Sequence, residues 1–145
     1  MVRINGCIEY RGKDLGEESE KITQEILNLA MNTMRNEAII NAPADTTELR
    51  EKIQLEEKNP NNYVLNSNAR HSEPIEYGSK PFWAPIAPLK EWANRKFGEE
   101  DIGYAVQKKI AKKGITAHPF MRPALDKTQF ILLPKIARDV KAKYS

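Results

Sequence analysis

Five carboxylates fall in two short groups, Asp45, Glu48 and Glu51, then Glu73 and Glu76. Paired carboxylates can hold a divalent metal that activates water, which is the chemistry of small nucleases. Such a site also calls for a matching lysine or a third fixed ligand, and none accompanies these acids. His71 and His118 are the only histidines. A Ser-His-Asp or Cys-His hydrolase needs one of them beside a nucleophile. His71 lies between Arg70 and Ser72 in a predicted loop, and His118 precedes Pro119, so both read as surface or turn residues. Zinc needs three or four ligands; Cys7 and two scattered histidines do not supply them. The glycines stand singly, so no phosphate-binding loop can be read. The expectation is no catalytic, metal or cofactor site. Lys108, Lys109, Lys112 and Lys113 form the densest basic cluster. They read as a solvated helix end, or as a contact for DNA phosphates or an acidic neighbouring subunit. No recognition helix or base-stacking pattern accompanies them, so base reading is not expected.

These residues must be positioned by a mixture of helices and strands. Val2, Ile4, Cys7, Ile8 and Tyr10 give a weak strand signal, and the span from Gly12 to Gly16 reads as loop. From Glu17 to Asn41 apolar residues step by four through Ile22, Ile26, Ala30, Met34 and Ala38. That period, with Glu17, Glu18 and Glu20 at the start and Pro43 after the end, predicts a long helix. Leu49, Ile53 and Leu55 suggest a strand, Lys58 to Asn62 a turn, and Tyr63-Val64-Leu65 a second strand. Ile75-Glu76-Tyr77 suggests a third. A proline-rich loop, Gly78 to Pro88, leads into a helix carrying Leu89, Trp92, Ala93 and Phe97, capped by Gly98. A second short helix opens at Glu99-Glu100-Asp101 and ends at Lys112-Lys113-Gly114. A last helix runs from Met121 toward Tyr144, with a kink or break expected at Pro134. The predicted class is α+β: a long N-terminal helix, a small antiparallel sheet of three to four strands, two short helices and a kinked C-terminal helix.

At 145 residues one domain, 1–145, is expected, large enough to fold without disulfides or metal. Cys7 is the only cysteine and cannot form an internal bridge, so it reads as a small apolar strand residue. The first residues lack the apolar run of a signal peptide, and Ile131-Leu132-Leu133 is too short to span a bilayer. A cytoplasmic protein that makes no membrane contact is expected. The net charge of +3 conceals an asymmetry: residues 1–78 hold 9 Lys/Arg against 14 Asp/Glu, and residues 79–145 hold 14 against 6. On separate faces these charges would attract identical subunits head to tail, as in rings; interleaved, they would mix on one surface.

Three short blocks remain. Pro43-Ala44-Asp45-Thr46-Thr47-Glu48-Leu49-Arg50 follows the long helix, Pro74-Ile75-Glu76-Tyr77-Gly78-Ser79 precedes the proline-rich loop, and Pro119-Phe120-Met121-Arg122-Pro123-Ala124-Leu125 opens the last helix. Asp45 and Thr46 suit backbone capping at the helix exit. Arg50 suits a clamp on an acid such as Glu76, or on a partner's carboxylate. Gly78 allows a sharp turn. Pro119 and Pro123 hold Phe120 in a fixed pose, so that it can plug a pocket in its own core or in a neighbouring subunit. Phe82-Trp83, an apolar pair in a polar loop, is either tucked under or kept for a partner.

In this order, with Trp92 and Lys113-Gly114 between them, the blocks resemble the tail-component family of long-tailed bacteriophages. Its members act at the head–tail junction as neck or tail-completion proteins. The resemblance covers roughly residues 20–130. The family glycine after Asp-Thr is Thr47 here, a β-branched residue that a positive φ would strain. The resemblance implies a non-enzymatic virion protein that binds the tail tube or head connector, joins a ring of its own copies, and occupies the host cytoplasm before the virion. Nonspecific DNA contact is a further option. It directs attention to Asp45, Thr46, Leu49, Arg50, Glu76, Gly78, Phe82, Trp83, Phe120, Arg122 and Pro123 as motif and assembly residues. The alternatives from the residues alone are a small metal-dependent nuclease using the carboxylates near Asp45 and Glu76, and a basic DNA-binding module.

Overall fold

The four-residue apolar step after Glu17 produces helix α1, Glu17–Asn41, which buries Ile26, Leu27, Ala30, Met31, Met34 and Ala38 along one face. The computed structural model describes residues 2–7, 17–43 and 47–145. The expected loop from Gly12 to Gly16, and the strand residues Ile8 and Tyr10, lie outside these. The chain groups into two compact units. The first holds residues 1–76 and 119–145, and the second is the intervening span 77–118.

In the first unit a three-stranded antiparallel sheet has the order β1-β3-β2, built from Val2–Cys7, Ile53–Asn59 and Asn62–Ser67. Strands β2 and β3 form a hairpin through the predicted turn, with Leu55 opposite Leu65 and a register shift between Glu57 and Asn59. Strand β3 is central and buried along nearly its whole length. Its Leu65 and Tyr63 join Ile53, the buried face of α1 and residues of the last helix in one core. Arg35 Nε donates to the Ile53 carbonyl at 3.2 Å, tying α1 to β2.

Helix α2, Glu48–Glu51, and helix α3, Ser72–Tyr77, flank the hairpin. Both correct the sequence reading. Leu49 lies on a single helical turn, not at the head of a strand, and is buried in the core. Ile75-Glu76-Tyr77 is helical, so the sheet gains no strand there. Pro74 gives the reason: it lacks the N–H that a ladder requires but suits a first helical turn. Ser72, fully buried, shares its hydroxyl proton between the Ala69 and Ser67 carbonyls and fixes the start of α3.

The last helix comprises α6, Met121–Lys127, a π-helical turn, Thr128–Leu132, and α7, Leu133–Lys143. The π turn lies directly before Pro134, where an uninterrupted α-helix would lose a hydrogen bond and meet the proline ring. Lys127 pairs with Glu37, and Lys143 with Glu25, each at 2.8 Å, so this helix runs antiparallel to α1.

The second unit is a helical hairpin of α4, Ile86–Phe97, and α5, Ile102–Lys113. Helix α4 starts two residues before the predicted Pro88, and Gly98 caps it with a left-handed φ of 74°. The helices approach closely at Gly103, where a Cβ would lie 2.9 Å from the Lys90 nitrogen. The base of the hairpin is closed by Ser79. Its N–H donates to the Ile115 carbonyl at 2.9 Å, and its hydroxyl accepts from the Ile115 N–H at 3.1 Å.

Candidate functional site

The three sequence blocks turn out to be parts of the framework. In the first, Asp45 and Thr46 lie outside the described residues. Thr47 has φ −63°, at the entrance to α2, so this β-branched residue is unstrained. Arg50 does not clamp Glu76. Its Nε and Nη2 both donate to the Ala42 carbonyl, at 3.2 and 3.0 Å. Helix α1 has no basic residue in its own last turn, and Arg50 brings a cation to that negative end. Leu49 plugs the core beside it.

Glu76 does something the sequence did not announce. Its side chain is buried, and its carboxylate receives three backbone N–H groups at the start of α6. Oε2 accepts from Phe120 at 2.7 Å and from Met121 at 2.9 Å, and Oε1 accepts from Arg122 at 2.9 Å. The next residue, Pro123, has no N–H. One carboxylate and one proline thus deal with the donors that a helix start leaves unpaired. The positive end of the helix also favours the negative charge. The second and third blocks are therefore two halves of one clasp, and the clasp joins the points where the chain leaves and re-enters the first unit.

Phe120, fully buried, is in the subunit's own core with Met121 and Ala124, so it is no anchor for a neighbour. Arg122 and Pro123 are exposed on the surface of α6. Gly78 follows α3, not the sheet. Its φ is +73°, and a Cβ there would lie 2.8 Å from the Ile115 carbonyl oxygen.

The described carboxylates among those proposed for metal do not converge. Glu48 pairs with Lys52 at 2.7 Å on the exposed side of α2, and Glu76 is engaged by the helix start. Among the described residues no group of three or more His, Cys, Asp or Glu is placed to hold a metal ion. No described helix is long and apolar enough to cross a membrane.

Large apolar side chains face solvent in both units, in the first Leu29, Ile40, Phe130, Ile131 and Tyr144. In the second, Trp83 is 70% exposed and Phe82 41%. Phe97 and Tyr104 are also exposed, and Lys108, Lys109, Lys112 and Lys113 all face solvent along α5. Only Ala84, Ala93, Gly103 and Gly114 are buried in this unit, and every larger apolar side chain keeps part of its surface in water. In the first unit a groove of about 400 Å³ is lined by residues of α1 and the β2–β3 hairpin, among them Leu29, Glu57, Pro60 and Tyr63. Compared with known proteins, the chain matches no family model, no curated protein and no solved structure.

Proposed function

We propose that this protein is a structural component of a tailed phage or prophage. It acts at the head–tail junction by joining a ring of its own copies and binding the tail tube or head connector. The observation that carries the reading is the Glu76 clasp. The two blocks that give the clearest resemblance to the tail-component family meet in it, so they work together as framework. Of the carboxylates that could have served turnover, Glu76 is committed to holding a helix start and Glu48 is paired with Lys52. Groups suited to contact face solvent: aromatic side chains and a lysine row, on a chain of uneven charge. Function by association needs no more than this.

The test is assembly of particles in a host lacking the gene. Heads and tails should form separately and fail to join, and the wild-type chain supplied in trans should restore joining. Joined, infectious particles without the gene would refute the reading.

The exposed lysines of α5 favour a second reading, a nonspecific contact with phage DNA. Its binding should weaken steeply with salt, and replacing Lys108, Lys109, Lys112 and Lys113 by Gln should flatten that slope. A slope unchanged by the replacement would exclude it.

A further inference from the structure

In the second unit the loop before α4 lies beside the last turns of α5. Gln107 Nε2 donates to the Ala84 carbonyl at 2.7 Å. Two turns further along, a Cβ at Gly114 would lie 2.0 Å from the Ser79 carbonyl oxygen, and the Ile115 N–H donates to the Ser79 hydroxyl at 3.1 Å. The loop is thus pinned at both ends, and Phe82 and Trp83 are held alongside Gln107–Gly114, a span of about 10 Å. That span carries Lys108, Lys109, Lys112 and Lys113. All four are exposed, as are Lys80 in the loop and the two rings. Among the described residues none of these five lysines makes an ion pair. The acids of the unit lie elsewhere, Glu91 on α4 and Glu99, Glu100 and Asp101 at the turn between the helices. Residues 79–90 and 102–118 together hold six lysines and no Asp or Glu. We infer that this end of the hairpin binds single-stranded nucleic acid, with Trp83 as a stacking platform and the α5 lysines on the phosphates.

The two halves of this face together select the occupant. A row of cations with no acid among them attracts a chain of phosphates. A single strand also presents unpaired bases, and the face of any base can lie on an exposed ring. A duplex has its bases stacked already, so it would engage the lysines and leave Trp83 idle. An acidic peptide would do the same. Membrane binding scales with the apolar area buried, and the apolar surface beside these lysines is two rings between Pro81 and Pro85. Those prolines fix φ on either side of the aromatic pair, so the loop is ordered before a strand arrives and less entropy is lost on binding. This rests on the reading of the α5 lysines as a nucleic-acid contact, and names the form of nucleic acid and the ring that recognises it.

The experiment titrates the full chain into a labelled oligothymidylate at low ionic strength and follows anisotropy together with tryptophan fluorescence. Binding should quench the fluorescence. Trp83→Ala should weaken binding by ~10-fold or more and remove most of the quenching, the loss expected of one stacked base. Trp83→Phe keeps a ring and should recover most of the affinity. Replacing the four α5 lysines by Gln should lower the slope of log affinity against log salt by about 3, at ~0.7 per phosphate of a single strand. Phe130→Ala, which removes an exposed ring of the first unit, should leave binding unchanged. Circular dichroism of each variant confirms that it is folded. A hairpin duplex of the same composition should bind more weakly and be indifferent to Trp83→Ala. An oligouridylate separates RNA from DNA, and Trp83-dependent binding of either strand supports the inference. Equal binding of strand and duplex, with Trp83→Ala without effect on either, leaves the lysine contact standing and overturns the inference. No binding of strand or duplex removes both. Trp83-dependent capture of phosphatidylserine vesicles, with no strand bound, also overturns it.

Discussion

Replacing Glu76 by Ala removes the acceptor that the described residues provide for three adjacent N–H groups, two of them on fully buried residues. Leaving a buried donor unpaired costs ~1–3 kcal/mol. Three such donors would give ~3–9 kcal/mol if each stayed dry. Two effects reduce this. The variant no longer buries a charge, which ordinarily costs several kcal/mol, and the Arg122 N–H is near enough to the surface for water to replace the lost bond. A net loss of ~3 kcal/mol is expected, within the usual range for breaking a buried charged contact. At ~3 °C per kcal/mol for a chain of this size, the melting temperature should fall by ~10 °C. Glu76→Gln isolates the charge. Its one carbonyl oxygen can still serve Phe120 and Met121 from the Oε2 position. Its NH2 then faces the Arg122 N–H, donor against donor, so a loss of about 1–2 kcal/mol is expected. Glu76→Asp retains the charge but withdraws it by one methylene, and should resemble Ala more than Gln. Both tryptophans, Trp83 and Trp92, lie in the second unit, so circular dichroism is the better reporter of the first. Hydrogen exchange at the Phe120, Met121 and Arg122 amides gives the local measurement, and protection there should collapse before protection in α1 does. A Glu76→Ala chain within 0.5 kcal/mol of wild type, with these amides still protected, would refute the account of the clasp.

Three further outcomes follow from the same contacts. Gly114→Ala should destabilise the second unit by ~3 kcal/mol or more, because positive φ strains the residue and its Cβ would lie 2.0 Å from the Ser79 carbonyl oxygen. Gly98→Ala, with the same φ of +74° but nothing within 4 Å, should cost only ~1 kcal/mol; tryptophan fluorescence melts will rank the two. Phe120→Ala should cost ~3–5 kcal/mol by thermal or urea unfolding, as a large cavity in a core does. Hydrogen bonds from Lys143, and then from Tyr144, hold the Glu25 carboxyl below its ordinary range, and the bond to Glu25 holds the Tyr144 hydroxyl above its own. The Glu25 contribution is therefore present above its unfolded pKa and lost as pH falls through the folded one. The Tyr144 contribution is present below its unfolded pKa and lost as pH rises through the folded one. Fraying of the end of α7, followed by exchange at residues 140–144, should increase at both extremes, and Glu25→Gln should abolish the dependence on the acid side.

Local signals specified the local elements. The apolar step of α1, its acidic start and the proline beyond its end set its limits from Glu17 to Asn41. Gly98 and Gly114 ended α4 and α5 where a helix needs a residue free to take positive φ. The hairpin turn at Lys58 to Asn62 was legible in its composition. Each of these depends on residues a few positions apart, where steric and capping preferences act directly. The errors came where tertiary contact decides. Ile75-Glu76-Tyr77 has strand-like residue types, but Pro74 and the Ser72 hydroxyl start a helix there, and the core accepts it. Leu49 fits the period of a strand, yet one helical turn delivers it to the core and carries Arg50 to the end of α1. The partner of Glu76 lies 44 to 46 positions away, and no pattern within either segment points to the other. The sequence determined the longer helices and how they end, because propensity and capping are properties of neighbours. Only the tertiary structure decided that an acid from one block caps the helix of another, because the gain comes from burying both together.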